Sequence, residues 1–261
     1  MRIGITERGD AGIDFMWEKK LSAVDGAILI TKSLNETFRQ KVLELHIKGF
    51  PIIVHCTCTG WGGTIVEPNV PRYETQLEWL EEFVRDGFPA QNIVMRIDPI
   101  FPTRSGLNRV GELLDSFQKM NIGLPERITR IRVSILDEYR HVKQRFVQHG
   151  FQSIYGDSVF ANEQQIQEVA KLLNIFAKDN PMLRFETCAE ESLFKKLDPE
   201  HARCTGCVGI EDMTIMGLPT DELRLYENPQ HRKGCHCLSC KTELLERKHP
   251  CAHDCLYCYW T

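Results

Sequence analysis

Short runs of apolar, largely β-branched residues alternate along the chain with longer stretches in which apolar positions recur every three or four residues. The short runs are Arg2–Thr6, Ala27–Thr31, Pro51–Cys58, Asn92–Ile97, Arg130–Leu136 and Met182–Cys188. They are apolar almost throughout instead of alternating with polar residues, the pattern of strands buried on both faces of a parallel sheet. Between them fall amphipathic segments at Asn35–Lys48, Glu74–Asp86, Arg109–Met120, Arg140–His149 and Asn162–Lys178. In the second, Leu77, Leu80 and Phe83 share a face and the pattern stops at Gly87. In the last, Ile166, Val169, Leu172, Leu173 and Phe176 recur at helical spacing behind an Asn cap. Helix periodicity accounts for these apolar residues and leaves them no functional role.

Strand and helix alternate about six times before the rhythm fails near Ala189. The expected fold class is α/β, a (β/α) barrel or partial barrel with a parallel sheet. An irregular cysteine-rich C-terminal segment completes the site. The expected organisation is a (β/α)-repeat barrel core over residues 1–190 and an iron–sulfur C-terminal segment over residues 191–261, packed on the barrel.

Composition narrows the function. Of 261 residues, 42% are hydrophobic and 26% charged, enough to bury a core without covalent staples. The net charge of -4 gives no basic surplus for neutralising phosphates, so nucleic acid is not indicated. No run reaches the roughly 18 apolar residues of a membrane span. The start, MRIGITERGDAG, has charges where a signal peptide needs its apolar stretch. The expectation is a cytoplasmic protein with no membrane partner. In that reducing compartment the 11 cysteines do not form a disulfide framework. Eight of them fall between Cys204 and Cys258, which points to metal chemistry.

Two constellations stand out. Cys251-x-x-x-Cys255-x-x-Cys258 can wrap one small cluster, and three thiolates leave one iron of a four-iron cluster open to an outside ligand. A zinc site would want a fourth ligand, for which His249 or His253 stands near. The second constellation is Cys235-x-Cys237-x-x-Cys240, with Cys204-x-x-Cys207 upstream and Cys188 at a strand end. The expected set is Cys188, Cys204, Cys235 and Cys237, with Cys207 and Cys240 as substitutes. It would hold a second [4Fe-4S] cluster or a zinc ion. Taken alone, Cys188 equally reads as a small buried hydrophobe.

Barrel chemistry sits at the C-terminal ends of strands, so polar residues there are candidates. Arg96 and Asp98 alternate on a strand and share a face, as an ion pair or as substrate-binding groups. Lys32 could meet a carboxylate or phosphate. Glu67, between Pro68 and Pro71 and the third strand in a turn-rich loop, could contact a ligand amine or lie solvated. Thr57 and Glu190 are candidate cofactor contacts. His55 reads as a satisfied core histidine, Arg8 and Asp10 could line the barrel mouth, and Trp61 and Trp260 could stack on an adenine or serve in packing, the commoner use of tryptophan.

The tail CAHDCLYCYW resembles the cysteine loop of radical S-adenosylmethionine enzymes, with Tyr257 before the third cysteine. A wider resemblance joins ERGDAG, ITKSLN, TCTGWGGTIVEPNVP, MRIDPIF, ETCAEE, NPQHRKGCHC and the tail, and is to the family known as domain of unknown function 1848. The resemblance implies a [4Fe-4S] cluster on Cys251, Cys255 and Cys258 that binds S-adenosyl-L-methionine by its amino and carboxylate groups. Tyr257 and Trp260 would hold the nucleoside. A reducing partner such as a ferredoxin or flavodoxin would supply the electron. The substrate, small molecule or macromolecule, stays unspecified. In radical enzymes the loop follows the first strand of a partial barrel. Here it comes last, so Thr242–Leu245 would be a short strand doing that job in a permuted barrel. The competing readings are a zinc-stapled structural metalloprotein and an iron–sulfur electron-transfer or binding protein without S-adenosylmethionine chemistry.

Overall fold

In the computed structural model, residues 1–221, 223–224, 235–246 and 251–260 are described. Eight strands form one sheet: β1 (Ile3–Ile5), β2 (Gly26–Thr31), β3 (Ile52–Thr57), β4 (Ile93–Ile100), β5 (Arg130–Ile135), β6 (Arg184–Thr187), β7 (Ala202–Cys204) and β8 (Lys241–Glu243). Their order is β7-β6-β5-β4-β3-β2-β1-β8, and every pairing is parallel. The fold is therefore α/β with a parallel sheet, and β7 and β8 are its two edges. The last strand in sequence lies beside the first, with Ile3 opposite Lys241 and Ile5 opposite Glu243. Leu244 packs closely over Gly4: a Cβ at position 4 would come within 2.6 Å of that side chain, which would have to shift.

The described residues form seven helices: α1 (Glu36–Ile47), α2 (Tyr73–Arg85), α3 (Arg104–Ile122), α4 (Arg140–Gln148), α5 (Glu163–Asp179), and the short α6 (Glu191–Phe194) and α7 (Ile210–Ile215). The side chain of Asn35 caps α1, and Asn162 with Gln165 forms a capping box on α5. Two 3-10 turns, at Phe15–Ala23 and Ala90–Asn92, were not apparent in the periodicity. Among the described residues, no helix is long and apolar enough to cross a membrane.

Successive strand residues go to opposite faces of the sheet, and the core divides accordingly. Leu29, Val54, Met95, Ile131 and Phe185 pack outward on Phe38, Leu80, Phe117 and Leu173 of the helices. Ile3, Ile5, Ile28, Ile53 and Val94 point inward and meet Val208, Met213, Met216 and Leu238. The segment around α7 thus plugs one end of the interior.

Beyond this apolar plug the interior turns ionic. Arg130 and Arg132 of β5 bind Glu186 of β6, and Arg130 also binds Asp212 of α7 at 2.7 Å. All four are buried. Burial alone would raise the Glu186 carboxyl, but the two guanidiniums outweigh it and hold it below its ordinary range. His55 of β3 lies in the core as expected, but it is not the satisfied histidine expected there. Neither ring nitrogen has a protein hydrogen-bond partner among the described residues. Burial, followed by the charges of Arg132, Arg96 and Arg130, keeps it neutral far below its usual range.

Candidate functional site

The cysteine loop, residues 251–258, follows β8 and lies across the loop that follows β3. The Leu256 amide donates to the Val66 carbonyl at 3.0 Å, and the Asn69 side-chain amide donates to the Ala252 carbonyl at 2.8 Å. Leu256 and Tyr257 sit in an apolar cluster with Val66, Val70, Phe101, Val142 and Phe146. The Arg145 guanidinium of α4 donates to the Cys258 carbonyl. The deepest tie is to the end of β1. There His253 Nε2 contacts Asp10 Oδ2 at 2.8 Å. Asp10 also accepts from the Thr31 hydroxyl and the Lys32 amide, both at 2.6 Å, and from the Gly12 amide at 2.8 Å. Burial works to raise the Asp10 carboxyl, but His253 and these donors hold it below its ordinary range.

Anchored this way, Cys251, Cys255 and Cys258 line one cavity of about 200 Å³, together with Lys32, Thr57, Arg96, Asp98, Tyr257 and Trp260. Burial pushes the Cys255 thiol up to about 12, and the Lys32 ammonium works against that rise. Burial likewise opposes the Lys32 charge, but Glu67 and then Cys255 outweigh it and hold the ammonium above its ordinary range. Arg96 and Asp98 form an ion pair in the cavity wall. Trp260 is half exposed at the mouth, its ring 5.6 Å from the Arg8 guanidinium carbon.

The structure places two sequence candidates differently. Glu67 is fully buried and not solvated. It accepts from Lys32 Nζ at 2.9 Å, from the Thr59 hydroxyl at 2.8 Å and from the Tyr257 hydroxyl. It does not line the cavity but ties the β3 loop, Lys32 and the cysteine loop together. The 62–67 turn, with bridges from Gly62 and Thr64 to Glu67, folds the carboxylate inward. Glu190 faces a different pocket, shared with Asp137 and Tyr139, and accepts from the Ser134 hydroxyl at 2.8 Å. Trp61 stacks under Arg109 and against Phe101, a packing role.

The third difference concerns the second thiol group. Cys188, Cys235 and Cys237 bring their sulfurs within 4.8 Å of one another, a group able to hold a metal ion. Cys207 joins them, its Sγ 3.9 Å from Cys188 Sγ and its amide donating to Cys237 Sγ at 3.2 Å. Cys204 does not. It ends the edge strand β7 opposite Thr187 and is exposed, its thiol against the Thr187 hydroxyl. The chain turns inward only after it, through Thr205 and Gly206. Cys240 packs against the apolar plug. Contacts from Cys188, Cys207 and Cys235 hold the Cys237 thiol far below its ordinary range. Cys56 and Cys58 are buried on the helix side of β3. His249 and most of NPQHRKGCHC lie outside the described residues.

This second group opens on a cavity of about 280 Å³ that shares Glu7, Ile30, Arg96, Asp98, Tyr259 and Trp260 with the first. Glu7 and Lys241, paired at 2.6 Å, were missed in the sequence. Glu7 continues the inward alternation of Ile3 and Ile5, a signal that the shortness of β1 obscured. The part played by Asp10 with His253 had no sequence signal, because the partners are joined only by the pairing of the last strand with the first.

No curated protein compared with the chain matches it significantly. A solved structure described as an endoglucanase is 10% identical over 83% of this chain and 86% of its own, with a TM-score of 0.32, too low to carry any argument. The sequence profile of one family matches residues 16–260, nearly the whole chain, and the protein belongs to that family, Domain of unknown function (DUF1848).

Proposed function

We propose that this protein is a radical S-adenosylmethionine enzyme whose [4Fe-4S] cluster is held by Cys251, Cys255 and Cys258. The observation that carries the reading is the convergence of three thiols from one loop on a single cavity, just beyond the strand that pairs with β1. The donor set fits the group: all sulfur, three in number, with the Lys32 ammonium beside Cys255 working against the burial that raises its thiol. When bound, the cluster supplies the electron that cleaves the sulfonium of S-adenosylmethionine reductively.

The remaining roles belong to the chain. The Asp98 carboxylate, held by Arg96, is placed to receive an amine in the cavity. Lys32, held by Glu67 and Tyr257, offers its charge to a carboxylate. Trp260 gives an exposed face for a nucleoside, and Thr57 a hydroxyl in the cavity wall. Ile30, Pro99 and Leu136 give the lining apolar stretches that help to exclude water. A low-potential donor such as a ferredoxin or flavodoxin would reduce the cluster in the cytoplasm.

The test is anaerobic purification followed by iron and sulfide analysis, then incubation with S-adenosylmethionine and dithionite. The expected product is 5′-deoxyadenosine, lost in Cys255→Ala. Zinc without iron in the loop would favour a structural metalloprotein. Iron and sulfide without cleavage would favour an electron-transfer protein.

A further inference from the structure

We propose that Cys188, Cys207, Cys235 and Cys237 bind a single divalent ion of the zinc class, and that this ion clasps the open seam of the sheet. The inference does not depend on the reading of the Cys251 loop.

Three of the four sulfurs stand mutually within 4.8 Å, a spacing that suits one ion better than a cluster, and Cys207 stands outside that group of three but beside Cys188. Four thiolates about 2.3 Å from one tetrahedral ion stand about 3.8 Å from one another. The Cys207–Cys188 separation is 3.9 Å, and the sulfurs of Cys188, Cys235 and Cys237 all fall within 4.8 Å. A four-iron cluster keeps its cysteine sulfurs farther apart, because a corner iron and the body of the cluster stand between each pair. Among the described residues, the sulfurs of Cys251, Cys255 and Cys258 make no such tight group. The Cys207 amide donating to Cys237 Sγ is the outer-shell bond that orients a metal thiolate. Binding takes all four sulfurs as thiolates, releases the protons that remain on them, and leaves two net negative charges. The Lys241 ammonium and the Arg132 and Arg96 guanidiniums stand where they offset those charges.

Position selects the function. β7 and β8 are the two edges of the sheet. Cys207 comes three residues after β7, and Cys237 four residues before β8. These two flanking segments touch directly. The Leu238 amide donates to the Val208 carbonyl at 3.0 Å, and a Cβ on Gly206 would fall 2.5 Å from Cys237 backbone atoms. Cys188 follows β6, so the ion would fix three strand ends together. Since β8 leads into the Cys251 loop, the clasp also sets where that loop begins.

The test uses the full chain carrying Cys251→Ala, Cys255→Ala and Cys258→Ala, so that only the second site can load. The expected result is one equivalent of zinc per chain, replaceable by cobalt with the intense visible bands of a tetrahedral thiolate. Adding Cys207→Ser should reduce bound metal at least tenfold under a competing chelator, and Cys204→Ser should leave it unchanged. Stripping zinc from the triple variant should speed amide exchange in residues 205–209 and 235–243, a readout that holds even where Cys207→Ser fails to fold. Iron with sulfide at this site, dependence on Cys204, or exchange unaffected by zinc removal would each overturn the proposal. None of these outcomes bears on the Cys251 loop.

Discussion

His253 and Asp10 lie 243 residues apart in sequence, yet their side chains meet at 2.8 Å beneath the cysteine loop. The contact exists because β8 pairs with β1, so the loop after the last strand lands beside the loop after the first. Asp10 gathers four donors in a buried pocket. Asp10→Ala would leave those groups unpaired, at a cost of about 3 kcal/mol for several buried unsatisfied groups. Denaturant unfolding checks the loss, and iron retention in the Cys251 loop should fall with it. Unchanged stability would mean that the pocket is open to water.

The ionic layer makes a larger claim. Glu186 and Asp212 together balance the charges of Arg130 and Arg132 in the interior. Glu186→Ala strands buried charge and is expected to cost about 3–5 kcal/mol. Urea unfolding should show a lower midpoint with an unchanged slope.

His55 gives the protein a pH dependence of definite sign. Folded, it stays neutral far below its ordinary value of 6.5. Unfolded, it takes up a proton as pH falls through about 6.5, so below that pH the unfolded chain binds more protons than the native one. Stability should therefore be full above about pH 6.5 and decline below it, by at most about 1.4 kcal/mol per pH unit from this residue. His55→Gln should flatten the profile between pH 6.5 and 5. The carboxylates of Asp10 and Glu186, both held low, contribute their own losses only at more acid pH.

The seam can be probed without touching a thiol. Gly206→Ala forces a methyl against the Cys237 backbone at 2.5 Å, where no flexible side chain can give way. It should destabilise the chain by about 2 kcal/mol and weaken zinc retention by the second thiol group, as read by chelator competition.

How far these features were legible follows from what each depends on. Strands β1 to β6 are apolar runs long enough to announce themselves, and the helices between them carry their own periodicity. β8 was expected one residue late, at Thr242–Leu245, since only its connection to the cysteine loop marked it. β7, the three residues Ala202–Cys204, was missed because so short an edge strand with two exposed residues has no hydrophobic pattern. Counting cysteines identified two thiol groups, but not that Cys207 and not Cys204 enters the second. That choice is made by the turn at Gly206, which depends on the distant backbone of Cys237. The turn-rich loop left Glu67 open between a ligand contact and a solvated side chain. Its burial arises from Lys32 and Tyr257, 35 and 190 residues away.

The most direct test of the central claim is electron paramagnetic resonance of the reduced, anaerobically purified protein, with and without S-adenosylmethionine. A reduced-cluster signal that changes shape when the cofactor is added, and a Cys255→Ala variant that loses both signal and response, are the predicted results. A signal indifferent to S-adenosylmethionine, or a response that survives in Cys255→Ala, would contradict the assignment of Cys251, Cys255 and Cys258 to a radical S-adenosylmethionine centre.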